Sequence, residues 1–252
     1  MIIDAHAHMD VFLARGWNDP PEKVIACMDR AGIDIAVVST YVNYPGPKRN
    51  AMEELYHGCC SYPGRLIPFL RLNPRFTEET EAAIDLAVTK YGYRGIKLHP
   101  TSYSMHPFTE PTLKILRKAA QYDIPVLFHC SDENLTLPLQ IGEAAEQCPQ
   151  TKIILAHMGG FRHGADAIRV CKRYPNVFMD TCEFCFSEGI RHAVEELGPQ
   201  RILFGTDLPT DNPQLEIQKV KNAQLGAEAE EMVFFKNAAA LLKLDGREYN
   251  GI

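Results

Sequence analysis

The hydrophobic pattern along this chain repeats a single theme. A short apolar run rich in β-branched residues is followed by a turn, then by a longer stretch with apolar residues three and four apart. The first run, Ile2-Ile3-Asp4-Ala5-His6-Ala7-His8, predicts a strand with His6 and His8 on one face and Ala5 and Ala7 on the other. Pro20-Pro21-Glu22 opens a predicted helix carrying Val24, Ile25 and Met28 and stopping at Gly32. Residues 33–39 read as a second strand, a helix follows through Met52, Leu55 and Tyr56, and residues 65–72 read as a third strand. Thr77 is the expected N-cap of a helix that buries Ile84, Ala87, Val88 and Tyr91 and ends at Gly92.

The alternation continues to the end. Strands are predicted at 93–100, 124–129, 152–157, 176–182 and 201–207, with Pro125 tolerated near the start of its strand. Helices carrying Leu113, Leu116, Ala119 and Ala120, then spanning 137–148, 165–174 and 187–197, separate them. Asn212-Pro213 caps another helix, and 227–244 reads as the last. Eight strands alternating with helices imply parallel strands joined by right-handed crossovers. An open doubly wound sheet usually has a glycine-rich first turn, whereas the first turn here is rich in histidine, so the expected fold is a (β/α)8 TIM barrel. No linker or low-complexity stretch divides the 252 residues, so the chain is read as one domain, 1–252.

Composition narrows the partners. With 46% hydrophobic and 23% charged residues, the chain belongs with ordinary globular domains. A net charge of −6 without a basic cluster gives nucleic acid and anionic membranes little to hold. No apolar run approaches a membrane span, and the start lacks the basic region of an export signal, which predicts a cytoplasmic protein with reduced cysteines. The expected partner is a small-molecule substrate, and a homo-oligomer is allowed. Cys182 and Cys185 form a C-x-x-C pair with no second pair to complete a zinc site, and Cys59-Cys60 reads as packing.

In a barrel the C-terminal ends of the strands meet on one face, where active sites lie. His6 and His8, Lys97 and His99, His129, His157 and Asp207 all occupy predicted strand ends. Imidazoles with a carboxylate make a nitrogen/oxygen set suited to zinc, iron or manganese, with a position left for water. Arg71, near the end of the third strand, can meet a substrate carboxylate or tie loops together. Arg162 and His163 follow Gly159-Gly160 after the sixth strand and are placed to recognise substrate, as is His99. Cys182 and Glu183 are pocket-lining candidates, and His57, His106 and His192 read as surface residues.

Asp4-Ala5-His6-Ala7-His8, Gly95-Ile96-Lys97-Leu98-His99-Pro100, Val126-Leu127-Phe128-His129, Ala156-His157-Met158-Gly159-Gly160, Phe204-Gly205-Thr206-Asp207 and Asn237-Ala238-Ala239-Ala240-Leu241-Leu242 together resemble the amidohydrolase superfamily. The likeness is to its amidohydrolase-related branch of metal-dependent hydrolases and decarboxylases. The resemblance implies a metal held by His6, His8, His129 and Asp207, with His157 as acid or base and Asp207 able to take a proton from metal-bound water. It also implies that Lys97 is either carbamylated and bridging two metals, or unmodified beside one; the unmodified form, binding substrate, is expected here.

The expected function is therefore hydrolysis of a C–N or C–O bond in a cyclic amide, ester or lactone by metal-activated water, most simply with one zinc. The alternative enzyme is a non-oxidative decarboxylase of a small carboxylic acid, which can use the same ligands. A non-catalytic barrel that only binds metal or ligand is the remaining class.

Overall fold

A computed structural model describes residues 1–244. Strand β1 (Ile3–His8) is followed by a small antiparallel hairpin, β2 (Asp10–Phe12) and β3 (Trp17–Asp19), which the hydrophobic pattern does not predict because each arm is three residues long. The remaining order is α1 (Pro21–Ala31), β4 (Ile35–Ser39), α2 (Ala51–Cys60), β5 (Leu66–Arg71), α3 (Thr77–Thr89) and β6 (Gly95–Leu98). Then come α4 (Pro100–Tyr103), α5 (Glu110–Gln121), β7 (Val126–Phe128), α6 (Pro138–Gln147), β8 (Ile153–Leu155) and α7 (Gly164–Arg173). The chain continues with β9 (Val177–Asp180), α8 (Ser187–Leu197), β10 (Ile202–Leu203), α9 (Pro213–Asn222), α10 (Ala227–Glu231) and α11 (Asn237–Leu242).

Eight strands pair in parallel in the order β1-β4-β5-β6-β7-β8-β9-β10. Backbone bonds from Ala5 N to the Phe204 carbonyl (2.8 Å) and from His8 N to the Leu208 carbonyl (2.7 Å) join the last strand region to the first, so the sheet is a (β/α)8 barrel. Asp4 stitches this seam: Oδ1 accepts from His6 N and Thr206 N, each at 3.0 Å, and Oδ2 accepts from Thr206 Oγ1. Inside the barrel Ile3, Ala5, Ile35, Val37, Ile67, Phe69, Leu127, Ile154 and Leu203 pack together, with Ala238 and Leu241 from α11 against them. A second, larger cluster fills the layer between strands and helices. Gly95 is obligatory for this interior, because a Cβ there would lie 2.3 Å from the Phe69 ring.

The helix and strand pattern departs from expectation at particular points. Thr77 is the first residue of α3 rather than its cap, and its hydroxyl donates to the Pro74 carbonyl. Asn212 does cap α9, accepting from Gln214 N at 3.0 Å. The last helix is interrupted by a π-helical turn at Met232–Lys236. The strand expected to run to His157 stops at Leu155, and His157 and Met158 take left-handed φ values of 58° and 48°. No helix among the described residues is long and apolar enough to cross a membrane.

Candidate metal centre

Strand β1 carries the first two donors, but simple alternation does not aim them. Ala5 packs inside the barrel and Ala7 in the outer layer, because the pairing of β1 with β4 shifts register between Asp4 and Ala7. Such an irregularity re-aims side chains. Here it leaves His6 and His8 turned to one point, shared with Asp207 from the turn after β10. Asp207 Oδ1 is 3.2 Å from His6 Nε2 and 3.1 Å from His8 Nε2.

The partners of the other ring nitrogens fix what meets at that point. His8 Nδ1 lies 3.2 Å from the Ser39 carbonyl, which only accepts, so Nδ1 carries the hydrogen and Nε2 presents a lone pair. His6 Nδ1 lies 3.0 Å from Asp180 Oδ2, and Lys97 Nζ, a donor, sits 2.5 Å from His6 Nε2. Both contacts select the same tautomer. Two imidazole lone pairs therefore face a carboxylate oxygen with no hydrogen of their own between them; the Lys97 ammonium meets the His6 lone pair, and a metal cation in its place would meet all three donors. Donors about 2.0–2.2 Å from a common ion lie roughly 3 Å apart, so His6, His8 and Asp207 fit a divalent metal. Each ring also has the outer hydrogen-bond partner that metal-bound histidines usually show.

The electrostatics agree. Burial pushes His8 down to about 4, outweighing the opposing pull of Asp207, so the ring is neutral at pH 7. Burial works to raise the Asp207 carboxyl, but His8 and His6 prevail and hold it well below the usual carboxylate range. Tyr41 stacks on His8 with ring centroids 4.6 Å apart, and Trp17 from the hairpin leans on Tyr41 at 5.1 Å. Neither aromatic residue was singled out from the sequence.

His129, expected as the fourth ligand, is not brought to this point. It groups instead with His99 and Glu133, stacking on His99 with centroids 4.0 Å apart and interplanar angle 10°. His157 lies between the two groups: its ring centroid is 5.0 Å from that of His6, and its Nε2 is 3.0 Å from His129 Nδ1. Burial pushes His157 down to about 3 and lowers His129 as well. Glu183 Oε2 sits 3.0 Å from His157 Nδ1, and burial, with Asp207, Asp211 and Asp180 nearby, pushes Glu183 up to about 7. Glu183 thus stands with the candidate acid–base group rather than merely lining a wall.

Arg71 and Lys97 are paired across β5 and β6, so their side chains leave the barrel wall on the same face. Both are buried, at 6% and 1% exposure, and among the described residues no carboxylate lies within 4.0 Å of either. Arg71 Nε donates to Asn43 Oδ1 (3.0 Å) and Nη1 to the Thr40 carbonyl (3.3 Å). Burial lowers Lys97 to about 8 and Arg71 to about 10, so both stay charged at pH 7. Nearby, His99 Nδ1 and Tyr103 Oη are buried without a hydrogen-bond partner among the described residues. Burial, Arg71 and Lys97 push His99 down to about 2.

The remaining candidates lie further out. Arg162 is exposed, and its backbone N donates to Asp132; His163 pairs with Asp166 at 3.3 Å at the start of α7. Neither contacts the centre. His57, His106 and His192 are exposed, as expected. The residue most clearly missed from the sequence is Asp180, fully buried at the end of β9 between His6 and His157. An acidic residue two places before Cys182, near the end of a barrel strand, was the available signal.

A family model described as amidohydrolase matches residues 3–244. No curated protein matches the sequence. Among solved structures, a 2,6-dihydroxybenzoate decarboxylase from Rhizobium is similar, with TM-score 0.74 and 18% identity over 97% of this chain and 98% of that one. A 5-carboxyvanillate decarboxylase from Sphingomonas paucimobilis has TM-score 0.74 and 13% identity over 97% and 99%. A dihydroxybenzoic acid decarboxylase from a Polaromonas species, with bound manganese and the inhibitor 2-nitroresorcinol, has TM-score 0.77 and 16% identity over 98% of both chains.

Proposed function

The chain belongs to the amidohydrolase family, and from that premise we propose that it is a metal-dependent, non-oxidative decarboxylase of a small carboxylic acid, of the hydroxylated aromatic kind that its structural neighbours take. This reverses the order expected from sequence, in which hydrolysis of an amide, ester or lactone came first. One observation carries the choice. Arg71 and Lys97 are neighbouring buried cations with no protein carboxylate within 4.0 Å among the described residues. Asp207 and Asp180 act on Lys97, and Asp207 and Asp10 on Arg71, only from a distance, so a carboxylate substrate supplies the direct ion pair that a neutral amide or lactone does not.

A metal would be held by His6, His8 and Asp207, and His129 would have to turn from its stack on His99 to add a fourth donor. Manganese, expected from the sequence beside zinc and iron, is present in the similar Polaromonas structure. When bound, the ion supplies charge that orients substrate oxygens and stabilises negative charge developing on them. Arg71 Nη2, unclaimed among the described residues, anchors the carboxylate, while Tyr103 Oη and His99 Nδ1 can meet further polar groups. In decarboxylation the C–C electron pair stays on the ring carbon, carbon dioxide leaves, and a proton joins that carbon. The Glu183–His157 pair is positioned to hold that proton.

Turnover in deuterium oxide tests the reading. Decarboxylation places one deuterium on the carbon that lost the carboxyl group. Hydrolysis leaves every carbon unlabelled, and product of that kind alone would overturn the proposal.

A further inference from the structure

We infer that Asp180 is a positioning residue that sets two histidines at once: it holds the His6 ring with its Nε2 lone pair toward the metal, and it holds the backbone turn that presents His157. This rests on the reading of His6 as a metal ligand. The Asp180 side chain is fully buried, and its two oxygens divide the work. Oδ2 lies 3.0 Å from His6 Nδ1. Oδ1 accepts from His157 N at 2.9 Å, from Cys182 N at 3.2 Å and from Cys182 Sγ at 2.9 Å.

The His157 contact matters because His157 and Met158 both take positive φ, a conformation in which L side chains are strained. Strand β8 has already ended at Leu155, so no ladder hydrogen bond holds the His157 amide. Asp180 does. Among the described residues no lysine or arginine comes within 4.0 Å of it, so its direct contacts are these N–H and S–H donors.

Only a carboxylate satisfies both sides. An amide turned with its oxygen toward His6 presents its NH2 group to two backbone N–H donors, His157 N and Cys182 N. Turned the other way, it offers an N–H to His6 Nδ1, which must then accept, so the hydrogen moves to Nε2 and blocks the metal. Asp180→Asn therefore loses either the metal-binding tautomer of His6 or the support of His157.

The test compares the metal affinity of wild-type and Asp180→Asn protein by competition of manganese or zinc against a chelator, together with kcat at saturating metal. The expected result is a dissociation constant weakened about 10–100-fold, with kcat still reduced when metal saturates. A merely structural role would lower the melting temperature and leave the affinity of the folded protein unchanged. Asp180→Asn binding metal within threefold of wild type overturns the inference. Wild-type protein that binds no metal, or His6→Ala that binds it undiminished, overturns instead the reading of His6 as a ligand. Should Asp180→Asn fail to fold, nitrogen NMR of 15N-histidine-labelled wild type decides: His6 protonated on Nδ1 supports the assignment, and His6 protonated on Nε2 contradicts it.

Discussion

His157 Nε2 lies 3.0 Å from His129 Nδ1, so one ring carries the shared hydrogen and the other accepts it. His157 also meets Glu183 through Nδ1 at 3.0 Å, which leaves both its nitrogens engaged, whereas His129 Nε2 has only Glu133 at 3.9 Å. His129 is therefore the ring with a nitrogen to spare for metal. His129→Asn should lose metal on dialysis, while His157→Asn should keep it and lose about 10²–10⁴-fold in turnover. Elemental analysis beside a rate assay checks both. A His157 variant that empties of metal as readily as the His129 variant would make His157 a ligand.

Arg71 is proposed to bind the substrate carboxylate through its unclaimed Nη2. A charge-assisted hydrogen bond is worth about 1.5–3 kcal/mol, so Arg71→Gln should raise KM roughly 10–100-fold with a smaller effect on kcat. Steady-state kinetics on a benzoate substrate measure this. An unchanged KM would return Arg71 to the role of tying Thr40 and Asn43 in place.

Lys97 is predicted to be unmodified, with one metal per chain. Its ammonium lies 2.5 Å from His6 Nε2, a lone pair that a bound metal would take over, and with Arg71 it is placed to balance the substrate's charge. Protein prepared in 13C-bicarbonate should show no carbamate resonance, and Lys97→Met should retain its single metal. Two metals per chain, falling to one or none in the variant, would contradict this.

Stability should respond to pH through Glu216 on α9. Burial pushes its carboxyl from 4.5 up to about 7, with Lys219 opposing at 2.5 Å. The folded state then binds more protons than the unfolded chain between those values, so stability falls as pH rises from about 4.5 through 7 and levels off above. Glu216→Gln should remove on the order of 1–3 kcal/mol of that fall. Denaturant melts at pH 5 and pH 8 provide the comparison, and parallel losses in variant and wild type would refute it.

The barrel was legible because buried parallel strands such as 126–128 and 153–155 are continuous apolar runs between amphipathic helices. Histidines and an aspartate at their ends stood out for the same reason: polar residues break such runs. What sequence could not show was aim. A register shift turns His6 and His8, a left-handed turn beyond β8 carries His157, and His129 stacks flat on His99. Asp180 escaped notice because a lone aspartate at a strand end carries no spacing pattern; its importance comes from His6, 174 positions away. The hairpin that brings Trp17 to Tyr41 is likewise too short to register as alternation.

Whether the protein decarboxylates is decided by measuring labelled carbon dioxide released from 2,6-dihydroxybenzoate and 5-carboxyvanillate carrying 13C in the carboxyl group, using manganese- or zinc-loaded enzyme. The expected result is 13CO2 in equal amount to the decarboxylated phenol from at least one of these or a related hydroxybenzoate, abolished in His6→Ala/His8→Ala. No carbon dioxide from any member of such a panel, with oxygen from 18O-water appearing in the products of lactones or amides, would contradict it.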